Sequence, residues 1–65
     1  MASWNKIITA QKDGWGWKLN FSRFQAREEG LNQAQIQSAF EAFQNFHGVI
    51  TNKAEMITAV ASEID

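Results

Sequence analysis

The chain has no cysteine, no proline and no tyrosine, and only a single histidine among its 65 residues. Without cysteine, neither a disulfide framework nor a thiolate metal site supplements the core, so packing or oligomerisation must hold the fold together. Without proline, low-complexity tracts or repeats, a long disordered linker is not expected, and the chain reads as one small domain over residues 1–65. Its apolar runs fall well short of the ~20 residues of a transmembrane helix, and no apolar leader segment opens it. These absences together predict a cytoplasmic protein with no membrane partner.

Reactive groups are equally scarce. His47 has no acidic or hydroxyl neighbour at a nucleophilic or metal-ligand spacing, and it reads as the polar end of a helix, near the negative end of the dipole. Glu28 and Glu29 are adjacent, so on a helix they diverge by roughly 100° and cannot converge on one substrate; they read as solvated charges. Gly14-x-Gly16 lacks the third glycine and the strand-to-helix setting of a phosphate loop. No catalytic residue, cofactor or metal is therefore expected, and no stretch matches a family motif residue by residue.

What the chain has in quantity is aromatic rings: Trp4, Trp15, Trp17, Phe21, Phe24, Phe40, Phe43 and Phe46. A domain of this size buries only ~60% of the surface its unfolded chain exposes, and each ring can contribute ~150–250 Å². An autonomous core is within reach, as is a homodimer that shares one.

Periodicity predicts an α+β fold that is mostly helical. Over 33–46, Ile36, Ala39, Phe40, Phe43 and Phe46 recur at steps of three and four, with Asn32 and Gln35 spaced as a capping box and Gly48 placed for a left-handed C-cap. A second helix over 52–64 carries Met56, Ile57, Val60, Ala61 and Ile64 on one face, capped by Thr51 or Asn52, and the short segment 47–50 makes the pair antiparallel. Ser22 and Gln25 open a short helix over 22–29 that Gly30 and Leu31 end, with Phe24 and Ala26 as its buried groups.

The N-terminal stretch admits two readings. Trp15, Trp17, Leu19 and Phe21 alternate with smaller or polar residues, and Asp13-Gly14 is a hairpin-turn pair, which predicts a β-hairpin of about 5–11 with 15–21. The alternative is a helix capped by Ser3, with Trp4, Ile7, Ile8 and Gln11 on one face, stopping at Gly14. The β-branched run Ile7-Ile8-Thr9 tilts the reading toward the hairpin. A two-stranded ribbon is marginal alone, so it must lie across the helices or pair with a second copy.

Charge is segregated along the chain. Residues 1–27 hold five bases (Lys6, Lys12, Lys18, Arg23, Arg27) against Asp13, while residues 28–65 hold six acids against Lys53. Such an asymmetry can direct nucleic acid to one end, draw a partner to the other or pair protomers head to tail. Trp15 and Trp17 on one strand, with Lys12, Lys18, Arg23 and Arg27 nearby, form the candidate partner-binding site. The same rings can instead stack unpaired bases or simply cover the helices. The glutamines at 33, 35, 37 and 44 give the long helix a face that desolvates more easily than an ionic one. A helix-turn-helix reading of 33–62 fails because the second helix is acidic.

The function expected from these features is a non-enzymatic protein-interaction module, a small regulator or inhibitor that occupies another protein's surface, a profile shared by small viral and mobile-element proteins. A single-stranded nucleic-acid binder and a self-assembling structural subunit, such as a homodimer, are the alternatives.

Overall fold

A computed structural model describes residues 3–64; Asp65, counted above among the acids, lies outside the described residues. One helical turn, α1 (Trp4–Ile7), leads directly into a hairpin of β1 (Ile8–Asp13) and β2 (Gly16–Phe21). Three helices follow, α2 (Arg23–Glu28), α3 (Gln33–Phe46) and α4 (Lys53–Ile64). The fold is α+β and mostly helical, as the periodicity predicts.

Both ends of α2 and the starts of α3 and α4 have a side-chain or backbone cause. The Ser22 hydroxyl accepts from Gln25 N at 3.2 Å and starts α2. Gly30, at φ +97°, ends it: Leu31 N donates to Ala26 O and Gly30 N to Arg27 O, each at 3.1 Å, which is the paired bonding of a Schellman cap. Asn32 Oδ1 accepts from Gln35 N at 2.8 Å while Gln35 Oε1 accepts from Asn32 N at 2.9 Å, a complete capping box for α3. Asn52, rather than Thr51, caps α4 through Glu55 N at 3.2 Å. Gly48 does not act as a left-handed stop, because Gly14 and Gly30 are the positive-φ glycines among the described residues. Instead α3 unwinds through 47–49, with Val49 N and Ile50 N both donating to Phe46 O.

The core is assembled from every element. Ile7, Ile8, Met56 and Val60 are fully buried, and Leu19, Ala26, Leu31, Ala39, Ala42 and Phe43 join them. A fully buried residue of this size contributes ~1.5–3 kcal/mol. Phe21 links sheet to helices, its ring 5.6 Å from that of Phe40 and 5.7 Å from that of Phe43. Ser3 is tied in as well: its N donates to Glu29 Oε1 at 2.9 Å, so Glu29 is half-buried and engaged rather than solvated.

The two readings of the N-terminal stretch are both partly right. Residues 4–7 are helical for one turn, and the β-branched run then takes the chain into a strand. Ser3 precedes that turn without a side-chain capping bond, and the helix does not reach Gly14. The turn sits one residue further along than Asp13-Gly14, and the first strand runs over 8–13 rather than 5–11 while the second begins at 16 rather than 15: Ile8 faces Phe21 and Asp13 faces Gly16, leaving Gly14-Trp15 as the two-residue turn. Gly14 has φ +61° and Trp15 is not positive, the pattern of a type II′ turn; centring it on Asp13-Gly14 would demand a positive φ from Asp13.

Only the base of the hairpin lies across the helices. Every residue from Thr9 to Lys18 is exposed, and the molecule measures 35 × 19 × 16 Å although α3, its longest helix, spans only about 21 Å. The distal ribbon projects from the body as an arm.

Candidate interaction site

Side-chain alternation sorts the arm into two faces. The register places Ile8 with Phe21, Ala10 with Leu19 and Lys12 with Trp17 on one face. The opposite face carries Thr9 with Asn20, Gln11 with Lys18 and Asp13 with Gly16. The first face begins as core, with Ile8 and Leu19 buried and Phe21 half-buried, and runs out past the helices into solvent, where Trp17 is 64% exposed. Trp15 is not on that strand. It occupies the second position of the turn, at the arm's extremity, and is fully exposed at 107%. The rings therefore do not cover the helices, and they do not lie side by side on one strand.

Both edges of the arm are open. Ile8 N donates to Trp4 O at the end of α1, and Ser22 N donates to Ile7 O at 2.8 Å, which ties the two ends of the hairpin together at its base; among the described residues, no backbone hydrogen bond from outside the ribbon reaches 9–21. The arm thus offers aromatic faces, two ammonium groups and unpaired strand edges.

Arg23 and Arg27 belong elsewhere. They lie on α2, beyond the base of a strand about 20 Å long, so the structure splits the six candidate residues into four on the arm and two on the body. The Arg23 guanidinium sits 5.0 Å from the centre of the Phe40 ring, a cation–π contact. Arg27 lines a shallow cavity of about 430 Å³ with Leu31, Gln33 and Ile36, which continues past Ile36 into one of about 420 Å³ bordered by Arg23, Gln37 and Phe40. The glutamine-rich face of α3 forms one wall of this groove.

Phe24, expected in the core, is 69% exposed. It is two residues from Ala26, hence ~200° around the helix, and the fully buried Ala26 turns it outward. Outside the hairpin, Val49, at the turn after α3, is the other large apolar side chain exposed among the described residues. His47 is the C-cap of α3, as its position suggests, with its ring 5.7 Å from Phe43. Among the described residues no group of three or more His, Cys, Asp or Glu side chains is placed to hold a metal ion, and no helix is long and apolar enough to cross a membrane.

No family model, curated protein or solved structure matches the chain.

Proposed function

We propose that the chain is a non-enzymatic protein-interaction module, a small cytoplasmic regulator or inhibitor that works by laying its β-arm on another protein. The observation that carries this reading is the position of Trp15: the largest kind of side chain stands at the tip of a projecting ribbon with nothing of its own chain over it. Trp is enriched at the energetic centres of protein interfaces, where one ring in a pocket contributes more than the area around it. Trp17, set one row back beside Lys12, extends the same contact surface.

The second reading, a binder of single-stranded nucleic acid, is favoured by Lys12 and Lys18 flanking exposed rings on which bases can stack. Asp13 at the turn and a net charge of -1 weigh against it, because phosphate contacts dominate such affinities.

A photocrosslinker placed at position 15 in living cells separates the two. Discrete protein adducts that disappear with Trp17→Ser, and that are not formed from the exposed helical position 54, are the expected result. Adducts to RNA or DNA alone, with affinity for oligonucleotides that falls steeply with salt, would replace this reading with the second.

A further inference from the structure

The arm has a counterpart on the molecule that carries it. Between α3 and α4 lies a cavity of about 260 Å³ lined by Ser38, Glu41, Ala42, Asn45, Phe46 and Glu63. This is below the ~300 Å³ of the smallest ligand pockets and of side-chain scale. Its apolar part is Ala42 and the half-buried Phe46, and its charged groups are two exposed carboxylates, Glu41 from one helix and Glu63 from the other. The arm shows the matching pattern. Lys12 and Lys18 project from opposite faces of the ribbon, just behind the turn that carries Trp15. Because the arm stands clear of its own helices, with residues 9–18 exposed throughout, its tip is free for the cavity of another copy.

We propose that copies of the chain associate head to tail, the arm tip of one seated in the α3–α4 cavity of the next. Trp15 enters against Ala42 and Phe46, and the two lysines straddle the cavity so that each meets one carboxylate. Asp13, on the Lys18 face of the ribbon, finds uncharged donors in Ser38 and Asn45. The opposing charges of the arm and of the two long helices, segregated already along the sequence, then become the attraction between neighbours. Donor and acceptor surfaces are different patches, so the contact is heterologous and extends into short chains or rings rather than closing at a dimer. A contact of this small area between exposed groups is weak and salt-sensitive.

The proposal rests on the arm being a protein-binding element and names its partner. Sedimentation velocity of the full chain, over a wide range of concentration and at low and high salt, tests it. The expected result is mass that grows past the dimer with concentration and falls with salt. Reversing the cavity (Glu41→Lys with Glu63→Lys) or the arm (Lys12→Glu with Lys18→Glu) weakens association about tenfold, while circular dichroism shows the fold intact. Mixing the two reversed chains restores it, since each arm again faces a cavity of opposite charge. A wild-type chain that stays monomeric throughout overturns the proposal, and so does a dimer indifferent to the Glu41 and Glu63 reversal, which would be ribbon pairing with ribbon. If the chain is monomeric yet crosslinks from position 15 to a different protein, head-to-tail association fails while the interaction reading stands; if it does neither, both fail.

Discussion

The body and the arm use the same residue types in opposite ways. In the body, α3 closes its first turn with a complete capping box, α2 ends on a Schellman cap, and buried apolar side chains from all the helices join in one core cluster with the base of the hairpin. In the arm, backbone pairing is the sole internal cohesion, and the two largest side chains point into water. The comparison teaches that stability and recognition are assigned to different segments. A ribbon whose distal rows have no packed face is held up by the body at its base, and its tip is left free to be covered by something else.

The largest test of that division is a cavity in the body. Phe43→Ala should cost about 3–5 kcal/mol, comparable with the whole stability of a domain this small, and abolish the helical circular dichroism signal at room temperature. A folded variant with an unshifted melting temperature would show that the core lies elsewhere. Next come the two positive-φ glycines, neither of which has an atom within 4 Å of an added Cβ, so that the cost of alanine is conformational alone, about 1–2 kcal/mol. Gly30→Ala should lower the melting temperature of the whole protein by several degrees. Gly14→Ala should instead speed hydrogen exchange in residues 9–20 and leave global melting nearly unchanged. If the two behave alike, arm and body are one cooperative unit and the division is wrong.

Removing one cap is a smaller perturbation: Asn32→Ala should cost ~1 kcal/mol, read as a melting shift of about 4–8 °C. The smallest effect on stability belongs to the largest side chains. Trp15→Ser with Trp17→Ser should change stability by no more than ~0.5 kcal/mol, while the red-shifted, iodide-quenchable fluorescence of the intact protein gives way to the bluer emission of half-buried Trp4.

Local chemistry was the readable part of the sequence. Ser22 with Gln25, Asn32 with Gln35, and Gly30 before Leu31 each place a polar or achiral group where a helix end needs one, and all three act as their spacing implies. The stripe from Ile36 to Phe46 is legible from its spacing, although Ala42, beside Phe43 and outside that stripe, is buried while Phe40 and Phe46 are half-buried. Phe24 departs from the core because hydrophobicity does not fix its angle: a residue two steps from a buried one on a helix faces away from it.

The site was harder to see. Alternation identified a strand through Trp17, but the turn position decides which residues the strand contains, and the competition between Asp13-Gly14 and Gly14-Trp15 is settled by which residue must take positive φ. Nor does alternation say where a sheet leaves the protein, since the same apolar-in, polar-out pattern runs from the buried Leu19 to the exposed Trp17. The cavity between α3 and α4 is lined by Ser38, Glu41, Ala42, Asn45 and Phe46 from one face of α3, and the packing of α4 brings Glu63 to it from outside that pattern.

The bond from Ser22 N to Ile7 O makes the arm a closed excursion of the chain. The path leaves the body at one point and returns to it at the same point; Ile8, Leu19 and Phe21 at the base belong to the core, so for the helices the exposed residues 9–18 beyond them are an appendage of adjustable length. Trimming or adding two residues per strand beyond the base preserves which face each side chain takes. Reach can therefore be tuned independently of the fold, and the hairpin is a natural cassette for transplanting this tip onto another scaffold or a different tip onto this one.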